Sequence, residues 1–324
     1  MINVRTDLAI EARDMYTEEN KRELDGVIVD EEKEGDIKIT TVSIESDEAG
    51  KELGKPKGNY ITIDFPEFTH YDGESMDNVS KVVDNVLTRL VNMPEEKTAL
   101  VVGLGNWNVT PDSLGPKVTE KIMVTRHLKQ VMPEAIDDSV RPVCCISPGV
   151  LGITGIETGE IIKSLVDRIK PDLVICIDAL GSRKLERVNR TIQISDTGIS
   201  PGAGVGNHRM KINEETLGVK VVAIGVPTVV HAATIANDTI DLVLDGLISK
   251  AEKGKEFYNM LKSVDKLEKS QLIKEVLDPY VGDLMVTPKD VDAVIESLAK
   301  IIANGINMAV QPNLDMEDIN KFMN

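Results

Sequence analysis

Aromatic residues are scarce: Phe, Trp and Tyr make up 3 % of 324 residues, with a single Trp, although 41 % are hydrophobic. The core must therefore be aliphatic. Cations are also short, with 37 Lys and Arg against 54 Asp and Glu, a formal charge of −17. Binding a phosphate backbone takes clustered Lys and Arg, so this balance argues against nucleic acid as a partner. No stretch reaches the roughly 18 uninterrupted apolar residues of a membrane span. The start, MINVRTDLAIEARD, reaches an acid at Asp7 with no apolar run before it, unlike a secretory leader. The three cysteines, Cys144, Cys145 and Cys176, lie in apolar runs and read as buried reduced thiols of a cytoplasmic protein. His70, His127, His208 and His231 show no tight ligand spacing, so no metal and no cofactor are expected.

What is present is a change of rhythm along the chain. Residues 1 to about 57 are polar, with EARDMYTEENKREL reading as a charged helix. Alternation predicts strands over Asp36–Ile44 and Tyr60–Phe65, separated by the turn Gly54-Lys55-Pro56-Lys57-Gly58. From Val79 to Leu90 the apolar residues take helical spacing. Ala99–Gly105 is then a continuous apolar run, as expected of a strand buried on both faces. Further strands are predicted at Pro142–Ile146, Leu173–Asp178, Thr191–Ser195 and Val219–Val226, and helices at about 114–131, 157–169 and 231–249. This alternation predicts an α/β fold, a mostly parallel doubly wound sheet with helices on both faces. A β extension over 8–75 precedes the core at 76–250, and helical elements follow over 251–324. There, Glu252–Lys269 is strongly charged and Thr287-Pro288 opens a helix to about 309.

In such sheets, chemistry gathers at the C-terminal ends of the strands. Asp112 follows the first buried strand through a Gly-rich turn, just before a helix, and Asp178 ends another. Taken singly, Asp112 is a helix N-cap and Asp178 a partner for Arg183. Taken together, they bring two carboxylates over one crevice, where they share a proton and serve as base and acid for water. Backbone donors near Gly105–Asn108 are candidates for holding an oxyanion. Asn106, Trp107 and Arg183 are further candidates by adjacency. Gly103-Leu104-Gly105 is no dinucleotide fingerprint, because the third glycine would fall at Asn108. Gly202–His208 reads as a mobile loop. Cys176 with His208 or His231 is a weaker nucleophile–base pair, and Ser113 lacks a nucleophile elbow.

The segments GLGNWNVTPDSLGP and ICIDALGSR, with the start VRTDLAIEA, resemble the spore germination proteases over the whole chain. The resemblance implies an endopeptidase that begins the degradation of small acid-soluble spore proteins in the spore core. It also implies an atypical aspartic peptidase, whose essential aspartates match Asp112 in TPDSLGP and Asp178 in IDAL. The fold is similar to that of hydrogenase maturation peptidases, whose strand–turn and following Asp are echoed by Gly103, Gly105, Asn106 and Asp112. The family is made as a homotetrameric precursor that removes its own N-terminal segment. The match of Val4-Arg5-Thr6-Asp7 places that cut between Asp7 and Leu8, leaving a propeptide of residues 1–7 that is short for the family. Thr-Asp-Leu-Ala resembles the Thr-Glu-(Ile/Phe)-Ala sites of its substrates. The alternatives are a metal-dependent maturation peptidase of the related fold and a non-enzymatic oligomeric binding protein.

Overall fold

The computed structural model describes residues 6–67, 72–94, 96–201, 209–251, 256, 259–260, 272, 275–276 and 284–323. Met1–Arg5, His70, the loop Gly202–His208 and most of the charged segment Glu252–Lys269 lie outside the described residues. The strands are β1 (Val27–Glu34), β2 (Ile37–Ile44), β3 (Gly58–Asp64), β4 (Ala99–Gly103), β5 (Val143–Ile146), β6 (Leu173–Ser182), β7 (Thr191–Ser195), β8 (Lys220–His231) and β9 (Met285–Val286). Among the described residues they form one nine-stranded sheet in the order β1-β2-β3-β7-β8-β6-β4-β5, with β9 on β8.

The sheet is mixed, which corrects the expectation of a mostly parallel one. Strands β8, β6, β4 and β5 run parallel. The other half, β1-β2-β3-β7, is antiparallel throughout and joins β8 antiparallel. The reason lies in the connections. Only residues 183–190 separate β6 from β7, and a parallel return needs a crossover of roughly a dozen residues or more. Strand β7 is buried along its whole length, so its composition looks like that of a parallel strand while its direction is set by the short loop. The N-terminal strands continue the same sheet, because β3 pairs with β7 from Tyr60↔Ser195 to Asp64↔Thr191.

Alternation along β4 and β6 sends side chains to two cores. Ala99, Val101, Leu173, Ile175 and Ile177 face a cluster built with the helices Gly73–Val91 and Val291–Val310. Leu100, Val102, Val174 and Cys176 face a second cluster with Ile162 and Val166 of the helix Thr158–Ile169. Helices therefore cover both faces of the parallel half. The helix Val291–Val310 is long and apolar enough to cross a membrane, but most of it is buried inside the molecule. It sits so close to its partner helix that a Cβ on Gly305 would stand 2.5 Å from Val83 Cγ1. It starts at Val291, and Thr287 Oγ1 donates to the Thr228 carbonyl instead of capping it. The helix expected over 114–131 is two short ones, Leu114–Thr119 and Arg126–Val131. Cys176 is buried, while Cys144 and Cys145 are partly exposed; all three are free thiols.

Candidate active site

The pairing of β4 with β6 carries one residue beyond the strand, where the Leu104 N–H donates to the Ile177 carbonyl at 2.8 Å. The chain then turns back at Gly105, whose φ of +114° suits glycine, and a Cβ there would stand 2.0 Å from the Asp112 carbonyl oxygen. This close approach lets the Asn106 N–H donate to that oxygen at 3.0 Å. Asp112 closes a short 3₁₀ turn, Thr110–Asp112, before the helix Leu114–Thr119. The helix is held against the strand by a second close approach: a Cβ on Gly115 would meet the Leu104 carbonyl oxygen at 2.2 Å.

Asp178 is not the last residue of its strand. Strand β6 runs on to Ser182, with an irregularity in its pairing with β8 between Leu180 and Gly181. Asp178 lies opposite Gly225 and, by alternation, on the face of Val174 and Cys176. Asp112 and Asp178 line one cavity of about 690 Å³. Asp178 is buried, and its Oδ1 accepts the Ala179 N–H at 3.0 Å. Burial, then the charges of Asp112 and Asp7, push its carboxyl well above the usual carboxylate range. Burial also raises Asp112, to about 6, against the downward pull of the Asn106 N–H and the Arg209 charge. One site thus holds two carboxyls of raised proton affinity, and Asp178 feels the charge of Asp112.

A third acid reaches the same cavity. Asp7 N–H donates to the Gly181 carbonyl at 3.1 Å, and Gly181 N–H donates to Asp7 Oδ2 at 2.8 Å. The Asp7 carbonyl oxygen accepts from Lys55 Nζ at 2.8 Å and from Gln193 Nε2 at 3.3 Å. Beyond it Leu8 and Ala9 are fully buried, and Ala9 N–H donates to Gln193 Oε1 at 2.7 Å. Buried Glu11 accepts the N–H groups of Arg183 and Lys184 at 2.7 and 2.9 Å. The chain at the expected cleavage point is thereby tied to the far end of β6.

The adjacent candidates fare differently. Asn106 shapes the turn, its Oδ1 accepting the Asn108 N–H at 3.0 Å. The N–H groups of Asn106 and Asn108 are thus both engaged within the loop. Trp107 is exposed and is not part of the cavity wall. The Arg183 guanidinium pairs with Asp238 at 2.8 Å instead of Asp178. Cys176 is wholly buried and its thiol is pushed up by burial, which makes it a poor nucleophile. Among the described residues, no group of three or more His, Cys, Asp and Glu side chains is placed to hold a metal ion. Lys55, Gln193 and Arg209 line the cavity without having been singled out in the sequence. Lys55 lies in a segment that reads only as a turn, and Gln193 in one that reads only as a strand.

The chain matches the family model described as germination protease over residues 6–256 and 245–323. It is 70 % identical to a germination protease of Clostridium perfringens over 325 residues, covering 100 % of both chains. It is 60 % identical to that of Clostridium tetani, again over 100 % of both. To that of Bacillus cereus it is 42 % identical, over 99 % of this chain and 97 % of the relative. The chain belongs to the germination protease family and is an endopeptidase.

Proposed function

We propose that the chain is a self-processing precursor of an endopeptidase that cuts small acid-soluble spore proteins in the spore core. In this reading Asp112 and Asp178 activate water, and the first cut releases residues 1–7. Residues 76–250 form the catalytic core, flanked by 8–75 and 251–324. The observation that carries it is the pair of coupled carboxyls of raised proton affinity in one cavity, with Asp7 beside them. One carboxylate takes a proton from water as the oxygen adds to the peptide carbonyl, and the other carboxyl protonates the leaving amine. Buried Leu8 and Ala9 suit a substrate with a large apolar residue, then a small one, after an acid. Assembly into a homotetramer fits the apolar residues exposed on the helix Ala232–Lys250, among them Leu242, Val243 and Leu247.

The test is intact-mass analysis of wild type, Asp112→Asn and Asp178→Asn, incubated with and without chelator. The expected result is loss of residues 1–7 in wild type alone, unaffected by chelator. Loss abolished by chelator would favour a metal-dependent peptidase. Asn variants that process normally would sink the aspartate mechanism.

A further inference from the structure

We infer that Lys55 is a catalytic residue of the self-cleavage step: its ammonium, with the Gln193 carboxamide, holds the Asp7 carbonyl oxygen on which negative charge develops as water adds. The inference rests on the cleavage position proposed above. Among the described residues, both hydrogen bonds of Lys55 Nζ go to main-chain oxygens, Thr6 at 3.0 Å and Asp7 at 2.8 Å. Gln193 spans the bond, donating to the Asp7 carbonyl on one side and accepting from Ala9 N–H on the other. Every one of these contacts is to the backbone that flanks a single peptide bond.

An anchor alone does not account for this lysine. The segment is already tied by two hydrogen bonds to Gly181, by Ala9 on Gln193, by Glu11 on Arg183 and Lys184, and by the burial of Leu8 and Ala9. Burying an ammonium is costly, and a neutral side chain would dock the segment without that cost. A full positive charge on a carbonyl oxygen is what a developing oxyanion needs. Of the loop donors near Asp112, the Asn106 and Asn108 N–H groups are already spent within the loop.

Water oxygen bonds to the Asp7 carbonyl carbon while the ionised carboxylate of the pair takes its proton. The carbonyl π electrons move to oxygen, where Lys55 Nζ–H and Gln193 Nε2–H hold them. Collapse breaks the bond to Leu8 nitrogen, which receives a proton from the other carboxyl. The products are an Asp7 main-chain carboxylic acid, which then loses its proton to solvent, and a Leu8 amine.

The experiment follows release of residues 1–7 by intact mass at pH 7 in the full chain. The chains are wild type, Lys55→Met, Lys55→Arg and Gln193→Leu, with Asp178→Asn as the blank. Lys55→Met is expected to slow release by about 10²–10³-fold, as removal of an oxyanion donor does. Lys55→Arg should recover part of the rate, and Gln193→Leu should slow it by about tenfold. Amide hydrogen exchange of the segment around Ala9–Glu11, measured in the Asp178→Asn background, separates catalysis from anchoring. Retained protection in Lys55→Met supports the inference; lost protection makes Lys55 an anchor and overturns it. Release at the wild-type rate in Lys55→Met also overturns it. Should Lys55→Met fail to fold, unchanged rates in both Lys55→Arg and Gln193→Leu would do so. Failure of the underlying cleavage reading shows instead in the wild type and the blank: no cut after Asp7, or a cut in Asp178→Asn, removes both.

Discussion

Asp112 raises the proton affinity of Asp178 across the shared cavity, while its own carboxyl stands at about 6. Both carboxyls stand above the usual carboxylate range, Asp178 well above it. A water-activating dyad requires one ionised and one protonated carboxyl.

Cleavage should therefore fall as pH drops below about 6, because protonation of Asp112 removes the remaining base. First-order rates of release of residues 1–7 between pH 4.5 and 8 measure this. A rate that stays level down to pH 4.5 would rule the assignment out.

The same shifts bear on stability with a definite sign. Both folded carboxyls are raised above the unfolded value. Their stabilising contribution is fully present below the unfolded pKa of about 3.9 and is lost as pH rises through the raised folded pKa of each, about 6 for Asp112. Asp178→Asn, which cannot ionise, should melt several degrees above wild type at pH 8 and close to wild type at pH 4, at roughly 2–4 °C per kcal/mol. Melting curves at the two pH values decide it, and an Asn variant less stable at pH 8 contradicts the burial effect.

Arg209 lowers the proton affinity of both aspartates. Arg209→Ala should shift the acid limb of the cleavage profile to higher pH, so that the variant loses relatively more activity at pH 6 than at pH 8. A variant whose profile superimposes on wild type would place Arg209 outside the electrostatics of the pair.

Gly115 has no room for a methyl group, since a Cβ would meet Leu104 O at 2.2 Å, Leu104 N at 2.5 Å and Ile177 O at 2.7 Å, all rigid backbone. Gly115→Ala should cost about 3 kcal/mol or more, or prevent soluble expression. Gly152, with nothing within 4 Å, is the control, and Gly152→Ala should stay within about 0.5 kcal/mol. Urea denaturation of the two variants is the measurement.

Much of the site was readable because its markers are local. The run Ala99–Gly103 is buried at every position, as its composition implies, and the acids after it and near the end of β6 both line the cavity. Adjacency in sequence says nothing about rotation: the Arg183 backbone serves Glu11 and its guanidinium serves Asp238, not Asp178. Trp107 likewise lies exposed on the turn that Asn106 shapes.

The sequence by itself determined which residues are buried on which face, because periodicity and composition record burial residue by residue. It also carried both aspartates in family motifs. Only the tertiary structure decided the direction of β7 and the joining of β3 to it, which depend on loop reach and not on composition. It alone brought Lys55 and Gln193, 48 and 186 residues away in sequence, onto the carbonyl of Asp7. Contacts of that separation leave no periodic trace, because each partner needs only to suit its own strand or turn.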